Sequence, residues 1–127
     1  MILVDSDILI AHLRGTSAAH DWLVQARGRS RMSISVVSVT EIVGGMRAPE
    51  RREVWRLLSA FRVEPATEVI ARRAGDMMRR YRRSHAGIGP GDYLIAATAD
   101  VKGLELATLN VRHFPMFEKL RPLFKPT

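Results

Sequence analysis

Asp5, Glu41 and Asp92 lie far apart along the chain, yet each stands where an α/β fold presents ligands. Asp5 follows directly on the apolar run Met1-Ile-Leu-Val4. Glu41 comes three residues after Ser38 in a segment with helical spacing. Asp92 closes the turn-rich stretch Ser84-His-Ala-Gly-Ile-Gly-Pro-Gly91 and opens a segment rich in Ala. Three carboxylates brought together repel one another and lose hydration, so such a cluster persists only if protons, Arg side chains or a metal neutralise it. Ligands that are all oxygen select Mg²⁺, with Mn²⁺ as a substitute. Such an ion keeps several waters, which leaves positions for a phosphate oxygen and an attacking water.

Each acid also has an ordinary structural reading. Ser38-Val-Thr-Glu41 matches the S-x-x-E capping box, in which Glu41 bonds back to the start of its own helix. Asp92 at a helix N-terminus suits the orphan amides and the positive end of the dipole. Asp5 has no comparable duty, because an acid directly after a buried strand sits at the ligand edge of a parallel sheet.

The elements that must position these residues follow from periodicity. Met1 to Val4 reads as a strand buried on both faces. Apolar residues at helical spacing predict helices over Asp7 to Leu13 and Ala18 to Ala26, separated by Arg14-Gly15-Thr16. Ser33 to Val37 reads as a second strand, and Ser38 opens a helix to about Met46. Glu50 to Ala60 is amphipathic, Phe61 to Glu64 is a short strand, and a long helix runs from Pro65 to about Arg83 with Ile70, Ala74, Met77 and Tyr81 as its buried stripe. A helix over Tyr93 to Val101 is stopped by Gly103. Leu104 to Leu109 is a last strand, and Phe114 to Leu120 a last short helix. Strands alternating with helices define an α/β domain with a three-layer α/β/α arrangement and a central, mostly parallel sheet, in which functional residues gather at the carboxyl ends of the strands. At 127 residues the chain is expected to form a single domain over 1–127.

Composition bounds the chemistry. There is no Cys, which excludes disulfides and thiolate-held metal centres and suits a cytoplasmic location. No apolar run approaches the length of a membrane span and no basic leader precedes the first strand, so no membrane association is expected. Net charge is +7, and all but three of the 20 basic side chains are Arg, whose planar fork grips phosphate. A polyanionic partner is favoured, although an Arg-rich chain can also reflect codon usage alone.

Four ordered blocks resemble the PIN domain nucleases, and specifically the VapC-type toxins of prokaryotic toxin-antitoxin pairs. They are Ile2-Leu-Val-Asp5-Ser6-Asp7, Ile34-Ser-Val-Val-Ser38-Val-Thr-Glu41-Ile-Val-Gly-Gly45, Asp92-Tyr-Leu-Ile95-Ala-Ala-Thr-Ala99 and Thr108-Leu-Asn110-Val-Arg-His-Phe114. Single blocks of this kind recur by chance, whereas four in order along essentially the whole chain are specific. The resemblance implies a Mg²⁺-dependent endoribonuclease acting on tRNA, rRNA or mRNA. It implies metal ligation by Asp5, Glu41 and Asp92, with Ser6, Thr108 and Asn110 orienting ligands, water or phosphate. It further implies a homodimer and a cognate VapB-type antitoxin that occludes the site. Two positions depart from the family pattern: Asn110 stands where many relatives carry a fourth acid, and His113 takes a place often filled by Asp and is read as a surface histidine.

Two other functions compete with this one. Asp5-Ser-Asp7 superficially fits the D-x-D of haloacid-dehalogenase-like phosphohydrolases, but the later Lys and closely spaced acid pair are missing. A catalytically weak RNA- or antitoxin-binding module is favoured only by Asn110. Among the remaining cations, Arg72, Arg79 and Arg83 read as a solvated helix face with Asp76 and Arg80 as an i,i+4 pair, whereas Arg112 has a better claim on phosphate by its position. Trp22, Trp55 and the six Met read as core.

Overall fold

The computed structural model describes residues 1–124. It begins with strand β1 (Ile2–Val4), helix α1 (Ser6–Leu13), helix α2 (Ser17–Arg29), strand β2 (Met32–Ser35) and helix α3 (Val36–Gly45). A 3-10 turn over Ala48–Glu50 leads into α4 (Arg51–Leu58), strand β3 (Arg62–Glu64) and α5 (Glu68–Tyr81). Helix α6 (Pro90–Lys102), strand β4 (Glu105–Ala107) and a 3-10 turn over Val111–His113 complete the order.

The sheet runs β3-β2-β1-β4 and every pairing is parallel, with Leu3 opposite Ser33 on one side and Leu106 on the other. Side-chain alternation along β1 sorts the core into two halves. Ile2 and Val4 join Ile8, Leu9, Leu23, Ile34, Ile42 and Val54 from α1 to α4 and β2. Leu3 and Leu106 face Ile70, Met77, Tyr93, Ala96 and Phe114 on the α5–α6 side. Both faces of the sheet are thus covered, which is why β1 is apolar at every position. The three layers are those expected from the sequence.

The order has a consequence for function. From β1 the chain steps to β2 and β3 in one direction and then returns to place β4 on the far side of β1. This reversal opens a crevice at the carboxyl ends of β1 and β4, the place where open α/β sheets bind ligands. Asp5 ends one strand and Thr108 the other, and the Asp5 N–H donates to the Ala107 carbonyl at 2.8 Å.

Three of the differences from the sequence reading have a clear local reason. β2 ends at Ser35, whose hydroxyl accepts from the Val37 N–H at 3.1 Å, so Ser35 and not Ser38 caps α3. Helix α6 starts at Pro90, a position where the missing N–H costs nothing, and Asp92 is its third residue. No helix forms over Phe114 to Leu120. Phe114 precedes Pro115 and is held at φ −128°, ψ 57°, outside the helical region, because the proline ring disfavours helical backbone before it. Gly103 does stop α6, in the left-handed conformation at φ 65°. On α5 the ion pairs are Arg72–Glu68 and Arg73–Asp100, while Arg80 lies over the Tyr81 ring instead of pairing with Asp76. Trp55 is 47% exposed and not a core residue. No helix among the described residues is long and apolar enough to cross a membrane.

Candidate active site

Asp5 is buried at the junction of β1 and α1. Its Oδ1 accepts from the Ser6 N–H at 2.8 Å, and its Oδ2 accepts from the Thr108 hydroxyl at 2.7 Å. The first of these bonds gives Asp5 a structural duty that the sequence reading denied it, since it caps α1. Capping alone does not explain the residue. Asn or Ser would satisfy the same N–H without burying a charge. The carboxyl is instead pushed up to about 7, first by burial and then by the neighbouring charge of Asp7, with Asp92 adding to the rise and the Thr108 and Ser6 hydrogen bonds opposing it.

Ser6 is buried beside it and donates its hydroxyl to Glu41 Oε1 at 3.0 Å, tying the end of β1 to α3. Because α3 starts at Val36, Glu41 lies in the second turn and cannot close a capping box. The Ser38 hydroxyl is buried without a partner among the described residues. The capping reading of Glu41 therefore fails, and its carboxylate projects toward the same crevice through Ser6. Asp92 does not cap α6 either, where Gly89 occupies the cap. Its Oδ2 lies 2.9 Å from His113 Nδ1.

Thr108 is fully buried and organises the far side of the crevice. Its single hydroxyl proton goes to Asp5, the nearer acceptor, and its oxygen accepts from the Asn110 N–H at 3.0 Å. Asn110 itself is exposed and its side chain contacts His113 Nδ1 at 3.1 Å, not a carboxylate. The structure thus brings Asp5, Ser6, Glu41 and Thr108 into one bonded chain, sets Asp92 near enough to Asp5 for their charges to interact, and leaves Asn110 on the rim. His113, expected at the surface, is half-buried and bonded to Asp92.

Asp7 is the residue the sequence reading left out of the site. Its Oδ2 accepts from the Leu109 N–H at 3.0 Å and lies 3.2 Å from the Thr108 hydroxyl, while its Oδ1 is buried with no partner among the described residues. Burial raises its pKa. The two-residue spacing from Asp5 is the sequence signal for Asp7, and it also fits the phosphohydrolase motif.

Asp5 is linked to Glu41 through Ser6 and to Asp7 through Thr108 and feels the charge of Asp92, and no Lys or Arg forms an ion pair with any of these four acids among the described residues. In a protein of net charge +7 this is a local excess of negative charge without its counter-charge. No three Asp, Glu or His side chains among the described residues already converge as a closed ligand set. Asp5 is buried and bonded through both oxygens, whereas Glu41 is exposed and held by one hydroxyl. An all-oxygen donor set with unneutralised charge fits a hard divalent cation such as Mg²⁺.

Fold, crevice and donor set together define a class of protein, and sequence comparison agrees with it. Residues 2–119 match the PIN domain, and the chain belongs to that family. It is 76% identical over 124 residues to Ribonuclease VapC10 of Mycobacterium tuberculosis, covering 98% of this chain and 93% of that protein. Ribonuclease VapC19 of the same species is 43% identical over 123 residues, covering 96% and 98%. Among solved structures, a chain of a toxin-antitoxin complex from Klebsiella pneumoniae superposes with a TM-score of 0.83 at 25% identity, covering 98% of this chain and 99% of the other. The phosphohydrolase reading of Asp5-Ser-Asp7 gives way to this family.

Proposed function

We propose that the chain is a Mg²⁺-dependent endoribonuclease toxin that hydrolyses phosphodiester bonds of tRNA, rRNA or mRNA as a homodimer and is inhibited by a cognate VapB-type antitoxin. The observation that carries the reading is the uncompensated acid crevice at the ends of β1 and β4, set in a protein otherwise rich in Arg. The names of the two mycobacterial relatives support the activity, and the Klebsiella complex supports the antitoxin.

Asp5, Glu41 and Asp92 would hold the ion, with Mn²⁺ able to replace Mg²⁺. A divalent cation in that place supplies Lewis acidity to the phosphoryl oxygens and makes a water easier to deprotonate. The protein's own contribution is orientation. Thr108 and the Ser6 N–H fix the two oxygens of Asp5, the Ser6 hydroxyl fixes one oxygen of Glu41 and His113 fixes one oxygen of Asp92. Asp5 must be ionised to take part, so its raised pKa makes loading of the site a competition between a proton and the cation. The basic surface draws the RNA toward a crevice whose own charge would otherwise repel it.

The test is cleavage of RNA by the purified chain with Mg²⁺, with EDTA, and by the Asp5→Asn and Asp92→Asn variants. Activity is expected only for the unaltered chain with metal. The reading is abandoned if EDTA and both variants leave a measured activity untouched.

A further inference from the structure

Two large grooves open on the surface. The larger, about 670 Å³, follows the open edge of β4; it carries Glu105 and Glu118 as well as Lys119 and Arg121, and none of its lining residues bonds to an acid of the crevice. The other, about 560 Å³, lies between the segment joining α5 to α6 and the segment around residues 111–115, and is walled by Ser84, His85, Val111, Arg112, His113 and Pro115. Its size is that of a nucleotide-scale pocket. Building on the ribonuclease reading above, we propose that this second groove seats a nucleotide adjoining the scissile phosphate, with Arg112 as ligand of its phosphate group.

Continuity with the reaction centre is the first argument. His113 walls the groove and is bonded to Asp92 at 2.9 Å, so a nucleotide lying in the groove touches the residue that positions a metal-binding carboxylate. Charge is the second. No acid lines the groove, although the acid crevice is its immediate neighbour. Arg112 is exposed and forms no ion pair among the described residues, and Arg82 and Arg83, which lead into Ser84, are exposed and equally unpaired there. A guanidinium without a carboxylate partner keeps its fork available for phosphate.

Preorganisation is the third. The His85 ring is fixed by Ser84 Oγ at 2.8 Å from its Nδ1 and by the edge of the Tyr81 ring, 5.7 Å away at 75°. The imidazole and the Pro115 ring give flat surfaces on which a base or ribose can pack, which is how single-stranded RNA is commonly held. The lining has no Asn, Gln, Asp or Glu, so any base-edge contact in this subsite falls to Ser84, His85, His113 or Arg112.

The test uses a fluorescent 12-nucleotide single-stranded RNA of randomised sequence, titrated against the Asp5→Asn protein so that the RNA survives, at several salt concentrations. Arg112→Gln is expected to weaken binding about fivefold at low salt and to flatten the salt dependence by roughly 0.7 in slope, the loss of one phosphate contact to a single strand. Arg121→Gln in the larger groove removes the same charge and is expected to change affinity less than about twofold. Equal weakening by both variants, no change in Arg112→Gln, or no RNA binding by the Asp5→Asn protein overturns the proposal. Both positions are exposed or partly exposed, and matching melting temperatures confirm that the variants fold. If the unaltered chain cleaves RNA while Arg112→Gln binds normally, the subsite alone is wrong. If Arg112 matters for binding but no RNA is ever cleaved, the subsite stands and the nuclease reading falls.

Discussion

Asp5→Asn should destroy activity and, at the same time, make the metal-free protein more resistant to heat near pH 8. The folded-state pKa of Asp5 is about 7 against an ordinary value of 3.8, chiefly because the carboxyl is buried. A carboxyl with a raised folded pKa is protonated in the folded state over a range where the unfolded chain has released its proton. Stability is therefore lost as pH rises from about 4 to about 7, and it stays lost above. At about 1.4 kcal/mol per unit, the full cost is about 4 kcal/mol. Asn keeps an oxygen for the Ser6 N–H but gives up the short bond from the Thr108 hydroxyl, a loss of about 1.5 kcal/mol. The net gain of roughly 2 to 3 kcal/mol corresponds to a rise of about 8 °C in a domain of this size. Calorimetry or intrinsic fluorescence in EDTA reads it directly. Near pH 5, two units below the folded-state pKa, most of the burial cost is gone and the gap between the two proteins should shrink sharply. Added Mg²⁺ should stabilise the unaltered chain and narrow the gap near pH 8. A variant that melts below the parent near pH 8, or a gap that is the same at both pH values, refutes the argument that Asp5 is held at a cost.

Three further outcomes follow from the same geometry. Thr108→Val removes the donor to Asp5 and the acceptor for the Asn110 N–H, and should cost about 2 kcal/mol in denaturant unfolding together with most of the activity, whereas Thr108→Ser retains both. His113→Ala frees Asp92 from its only side-chain hydrogen bond among the described residues and should raise the Mg²⁺ concentration for half-maximal binding about tenfold by calorimetry; an unchanged affinity would show that the His113 contact is incidental. Since Asp5 must lose its proton to take up the ion, half-saturating Mg²⁺ should rise about tenfold for each pH unit below about 7, and a binding isotherm independent of pH between 5 and 7 would remove Asp5 from the ligand set.

Much of the fold could be read from periodicity because the relevant signals are local. The apolar run ending at Asp5 can only be a strand covered on both faces, and Gly103 marks a left-handed cap that other residues adopt poorly. The misread features depend on contacts between distant segments. Ser35 and Ser38 both precede apolar positions, and the choice of cap is made where Val36 leaves the strand and Ser38 becomes buried, which spacing alone does not encode. Phe114 to Leu120 has helical apolar spacing, but Pro115 at its start overrides it. The candidate acids were legible in the sequence, where the ordered motif blocks nominated Glu41 and Asp92, which capping arguments left open. What stayed hidden were the bonds that hold those acids. Asp7 reaches Leu109 and His113 reaches Asp92 only because β4 returns to lie beside β1, a fact of topology.

That return also imposes an order of events in synthesis. Asp5 is made 103 residues before the residue whose hydroxyl holds it. Until β4 has been translated, the central strand has one unfilled edge and Asp5 has no Thr108. At about 5 to 20 residues per second, the chain spends roughly 5 to 20 seconds without the second wall of its own site. A product that stops before β4 carries Asp5, Asp7, Glu41 and Asp92 but lacks the Thr108 hydroxyl and Leu109 N–H that hold Asp5 and Asp7.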